Sequence, residues 1–133
     1  MIARSLLLSA IVLLGAISTA PAFALHRIPV KPLAGYKCMA IDAPDSVAMD
    51  FQHPIPLQTE PRANAPVISP ALGVLPVATD VDPTNGYVRS MNMMLKPGWV
   101  PAKYVRPYSD VHPGASCVPY VMNDGKLGFV FGH

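Results

Sequence analysis

Apolar residues follow two regimes along this 133-residue chain. From Leu6 to Ile17 they form a nearly continuous block, whereas after Leu25 they come in short runs broken by Pro, Gly, Asn or Asp. Fifteen of the sixteen prolines lie in the second regime. Proline lacks a backbone donor and clashes inside a helix, so long helices are excluded there. Short runs rich in Val, Ile, Tyr and Phe between turn residues predict an all-β domain. Strands are expected in "YKCMAI" (Tyr36 to Ile41) and at Val67-Ile68, Gly73-Val74-Leu75 and Tyr87-Val88-Arg89. "DPTNG" ahead of Tyr87 is a turn signal because Asn-Gly tolerates positive φ, and "CVPYVMNDGKLGFVFGH" predicts a terminal hairpin turning at Asn123-Asp124-Gly125. In "GWVPAKYV" the alternation turns Val100, Ala102 and Val105 toward a core and Trp99, Pro101 and Tyr104 away from it. Pro101 should end that strand's ladder, and Ala102-Lys103-Tyr104 suits one 3₁₀ turn.

The first apolar block has a different meaning. Arg4 precedes it and Ala22-Phe23-Ala24 follows, which is the charged, apolar and Ala-x-Ala order of a secretory signal, with cleavage expected after Ala24. The block is shorter than the roughly 20 residues a membrane span needs, and no second one follows, so no span is expected once the signal is removed. The expected destination is the periplasm or the exterior. The remainder is one small domain's worth of chain, too small for a large core, so an added constraint is expected. Cys38 and Cys117 both lie in it, and an even count in an oxidising compartment predicts a disulfide.

Charge and chemistry exclude more than they select. Without Arg4 the chain holds nine cations against eight anions, which gives no electrostatic case for nucleic acid or an anionic membrane. "SDVHPGASC" sets Asp110, His112 and Cys117 close together, but a disulfide at Cys117 removes the thiolate that nucleophilic catalysis requires. His26, His53, His112 and His133 are scattered without ligand spacing, so neither a metal nor another cofactor is expected from them. Met91, Met93 and Met94 are soft Cu(I) ligand types in an exported chain, although methionine also fills gaps in small cores. Asp42-x-x-Asp45 and Asp80-x-Asp82 flank prolines and read as turn chemistry rather than as an acid and base pair.

A family resemblance rests on two stretches. "KPGWVPAKYVRP" resembles the closing Gly-aromatic-aliphatic-Pro-x-x-Tyr-Val signature of SH3-like barrels, and "PLQTEPRANAPVISPALGVLP" is similar to the opening of the bacterial SH3-like (SH3b) domain. "NGYVRSM" matches that family's Gly-aromatic strand, with Tyr87 where tryptophan is common. The resemblance covers roughly Val47 to Tyr108 and implies a five-stranded barrel over residues 47–108. Around it stand an extended leader with a short strand over 25–46 and a hairpin extension over 109–133. "MNMMLKPG" lacks the usual Asn-Gly or Asp-Gly turn, which leaves the register between Tyr87 and Trp99 open. Because such a barrel brings its ends together, a Cys38–Cys117 bridge would clamp the leader against the terminal hairpin.

The same resemblance implies a non-enzymatic binder of cell-wall (peptidoglycan) peptide or of another envelope protein. The eukaryotic acidic and aromatic first-strand motif is missing, so Pro-x-x-Pro recognition does not carry over. The candidate binding set is Arg62, Tyr87, Arg89, Trp99, Pro101, Tyr104 and Tyr108, since aromatic and arginine side chains dominate interface hot spots. Two readings of it stay open. These side chains contact a ligand, or Trp99 and Tyr87 cap the barrel or meet the terminal hairpin.

Overall fold

The fold is known from a computed structural model that describes residues 12, 14–16 and 26–133. The secretory signal expected over residues 1–24 falls outside them apart from those isolated positions. The described chain is all-β, with strands β1 (Pro29–Pro32), β2 (Tyr36–Ile41), β3 (Pro56–Gln58), β4 (Val67–Pro70), β5 (Val74–Ala78), β6 (Tyr87–Met91), β7 (Pro97–Pro101), β8 (Val105–Pro107), β9 (Ser116–Met122) and β10 (Leu127–Gly132). Helix is confined to single turns at α1 (Asp45–Ala48), α2 (Tyr108–Val111) and a 3₁₀ turn at Ala102–Tyr104, as the proline spacing requires. Among the described residues no helix is long and apolar enough to cross a membrane.

Hydrogen-bonded ladders link the strands into three antiparallel sheets, ordered β4-β3-β7-β6, β5-β2-β8 and β1-β9-β10. The first two enclose a core of Met39, Leu57, Leu75, Val77 and Val100, with Val88 and Val105 packed against it. Ala102, expected in that core, lies half-buried in the 3₁₀ turn instead, because the turn breaks the strand's alternation. β2 sits at the centre of the second sheet and contributes Met39 to the core. β2 is therefore part of the body, and of the expected leader's strands only β1 lies outside it.

One closed five-stranded barrel is not what forms, and Pro76 supplies the reason. Ile41 N–H donates to the Gly73 carbonyl at 2.8 Å on the β2 side of β5, so by alternation the Pro76 carbonyl points the opposite way, toward β6. Pro76 has no N–H to offer there. A side chain takes over the role of a ladder: Ser90 Oγ donates to the Pro76 carbonyl at 2.6 Å, with both residues fully buried. Ser90→Ala leaves that carbonyl unpaired and is expected to cost about 1–2 kcal/mol, read from chemical denaturation. An unchanged unfolding midpoint would show that the bond contributes nothing.

The turns follow their residue chemistry. Asn85 (φ 51°) and Gly86 (φ 80°) form the tight connection into β6, with Thr84 and Tyr87 exchanging backbone bonds of 2.8 and 2.9 Å. The β6–β7 turn, without Asn-Gly, is built on Asn92, whose Oδ1 accepts from Met94 N–H (2.9 Å) and Lys96 N–H (3.0 Å) while Leu95 takes φ 63°. The register left open by the sequence is regular: Tyr87 faces Pro101, Arg89 faces Trp99 and Met91 faces Pro97.

The third sheet joins the two ends of the domain. β9 and β10 form the expected hairpin around Asn123–Lys126, and β1 pairs with the other side of β9. Cys38 on β2 and Cys117 on β9 are disulfide-bonded across a separation of 79 residues. The turn also holds the leader. Asn123 Oδ1 accepts from Ile28 N–H at 3.0 Å, and Arg27 Nε donates to Asp124 Oδ2 at 2.9 Å. That hydrogen bond holds the Asp124 carboxyl below its ordinary range.

Candidate functional site

The face of the first sheet turned away from the core carries the candidate residues. On β6 and β7 Tyr87, Arg89, Trp99 and Pro101 alternate with the core-side Val88 and Val100, so they stand on one surface as two cross-strand pairs, Tyr87 with Pro101 and Arg89 with Trp99. The Arg89 guanidinium lies 5.2 Å from the centroid of the Trp99 ring, a cation–π contact. All four side chains are half-buried. They are held in place yet open to solvent.

On its other side Trp99 faces Gln58 of β3, a residue the sequence reading passed over. Gln58 alternates with the core residue Leu57 and so shares the outer face, yet it is only 5% exposed. Ala65 lies buried beside it, and the Gln58 amide nitrogen donates to the Ala65 carbonyl at 3.4 Å while Thr59 N–H bonds the Pro66 carbonyl at 2.9 Å. The loop from Thr59 to Pro66 therefore folds over Gln58. Its Oε1 has no hydrogen-bond partner among the described residues. Burial by a loop leaves no periodic trace, and the only signal for this position was a polar residue next to a core leucine.

The remaining candidates divide. Arg62 projects from that same loop, exposed, with its Nε 2.6 Å from Glu60 Oε2. The loop is fastened to the Asn85-Gly86 turn, since Asn85 Nδ2 donates to the Pro61 carbonyl at 3.2 Å. Arg62 thus borders the Tyr87 end of the face. Tyr104, half-buried, closes the 3₁₀ turn directly after Pro101, and the Lys103 ammonium lies 4.9 Å from its ring. Tyr108 belongs elsewhere. Its ring stacks on His112 at 4.6 Å and on Phe131 of β10 at 5.6 Å, so it joins the body to the terminal hairpin.

Other candidate chemistry is dispersed or consumed. Cys117 is a disulfide sulfur and holds no thiol near Asp110 and His112. His53 pairs with Asp50 at 3.2 Å. Met91 is buried, whereas Met93 and Met94 line a shallow apolar groove of about 380 Å³ with Ser69, Pro70, Ala71, Leu72 and Asn92. No family model, curated protein or solved structure matches this chain.

Proposed function

We propose that this chain is a non-enzymatic binding module of the bacterial cell envelope, an open variant of the SH3-like architecture. It takes an extended peptide, from the cell wall or from an envelope protein, across the face bearing Trp99 and Tyr104. The observation that carries this reading is the Trp99 platform. A half-exposed indole is held between Gln58 and Arg89, with a guanidinium over its ring and a second arginine on the bordering loop. Such a surface offers an apolar plane for a side chain or a peptide backbone. It also offers planar donors for carboxylates, which Arg89 and Arg62 engage bidentately.

Two further features support the assignment. The 3₁₀ turn at Ala102–Tyr104, directly after Trp-Val-Pro, fits the SH3-like signature read in "KPGWVPAKYV". The disulfide fits an oxidising compartment, in keeping with the periplasmic or secreted location expected from the signal segment.

Retention on purified peptidoglycan tests the proposal. The wild-type protein is expected to co-sediment, and Trp99→Ala to weaken retention at least tenfold, as loss of a central aromatic anchor does. The melting temperature should fall by only a few degrees. If the wild type is not retained and instead co-purifies with one envelope protein, wall binding is rejected and the chain is an accessory subunit. If Trp99→Ala mainly unfolds the protein, the indole is packing.

A further inference from the structure

We infer that β10 is a dimerisation edge, through which a second copy of this chain extends the terminal sheet. The inference is independent of the Trp99 face and goes beyond the binding proposed for it. Among the described residues β10 is an outer strand of the β1-β9-β10 sheet, paired on one side only. Sheet edges in monomeric proteins are commonly blunted by charged residues or prolines, because a row of free backbone groups is a template for another strand. "LGFVFG" contains neither. Val130 is 36% and Phe131 55% exposed.

The backbone indicates which groups are free. Lys126 directs its carbonyl inward, to Met122 N–H at 2.9 Å, whereas Leu127 directs its N–H away from β9, to the Met93 carbonyl at 2.9 Å. Alternation then places the N–H and C=O of Phe129 and Phe131 on the open edge, where no other described residue bonds them. Between these two phenylalanines lies Val130.

The sequence of the edge selects the occupant. Gly128-Phe129-Val130-Phe131-Gly132 reads the same in both directions. Two antiparallel copies related by a two-fold axis at Val130 therefore place like against like throughout. Phe129 exchanges both backbone bonds with the partner's Phe131, Gly128 meets the partner's Gly132, and Val130 meets the partner's Val130 in a non-hydrogen-bonded pair. An isologous interface requires this self-complementarity, and an arbitrary edge strand lacks it. The register also matches the two faces of the sheet. Phe129 and Phe131 lie 6.2 Å apart on the face that carries Tyr108, so the pairing joins two such aromatic rows. On the opposite face Val130 stands beside Val118, 44% exposed, and the two-fold makes a continuous valine row.

Crosslinking and sedimentation with the oxidised protein provide the test. Directly opposed non-hydrogen-bonded residues have Cα atoms about 4.5 Å apart, within disulfide range. Val130→Cys should give an intermolecular disulfide in most molecules, assigned by peptide mapping. Val118→Cys, exposed on the same sheet but one strand in from the edge, should give none. Sedimentation from about 1 µM to about 500 µM should show a monomer–dimer equilibrium for the wild type and for Trp99→Ala alike. Val130→Lys and Val130→Glu should each raise the dimer Kd at least tenfold by opposing like charges, with folding checked by circular dichroism, and mixing the two should restore the dimer. A wild type monomeric over that range, or equal crosslinking at positions 118 and 130, overturns the inference. So does association that Val130→Lys leaves unchanged.

Discussion

Replacing Cys38 and Cys117 together by serine is expected to lower stability by about 4 to 5 kcal/mol, the loop-closure entropy of a cross-link spanning 79 residues. For a domain of this size that corresponds to a fall of roughly 15–20 °C in melting temperature, most of the margin a small domain possesses. The loss has a location. The bridge connects β2, at the centre of the body, to β9, at the centre of the terminal sheet. Hydrogen exchange in the reduced protein should therefore rise first in β1, β9 and β10, with the β3–β7 body protected longer. An unchanged melting temperature on reduction would mean that the terminal sheet is held by its other contacts, the Arg27–Asp124 pair and the Tyr108–Phe131 stack among them.

Gly98→Ala is expected to be the most damaging single substitution around the candidate site, at about 3 kcal/mol, the upper end for overpacking. Gly98 is buried in β7 with its α-carbon facing the core. A methyl group there would come within 2.8 Å of the Gln58 carbonyl and of Leu57 Cγ, and 2.9 Å of Leu57 Cδ1. Leu57 is itself 1% exposed, and the carbonyl is backbone, so neither can yield cheaply. Because Trp99 is the next residue and faces Gln58, the displacement reaches the platform as well. Tryptophan fluorescence should shift along with the unfolding midpoint. A variant as stable as the wild type would show that β3 and β7 can separate at this crossing without penalty.

What the sequence disclosed was mostly local. Prolines excluded long helices, Asn85-Gly86 and Asn123-Asp124-Gly125 marked their turns, and alternation separated Val100 from Trp99, all of it decided by neighbours in the chain. Relations between distant segments were harder to read. The place of β2 beside β5 depends on long-range pairing, and its six residues look alike whether they belong to a leader or to a core sheet. The gap between β5 and β6 arises from one proline carbonyl and one serine hydroxyl, a detail that no periodicity conveys. At the site, the Arg89–Trp99 pair depended on a register set by the Asn92 side chain rather than by a familiar turn dipeptide. The burial of Gln58 depended on a loop closing over it. Tyr108 shared residue type and nearness in sequence with the rest of the set. Packing against the terminal hairpin drew it into a different cluster.

The pairing of β1 with β9 also constrains the order of assembly. The hairpins from β3 to β7 join near neighbours in the chain and can form as soon as their turns do, whereas β1 must wait for a partner made at the far end of the sequence. A chain delivered amino terminus first thus holds β1 unpaired until β9 has emerged.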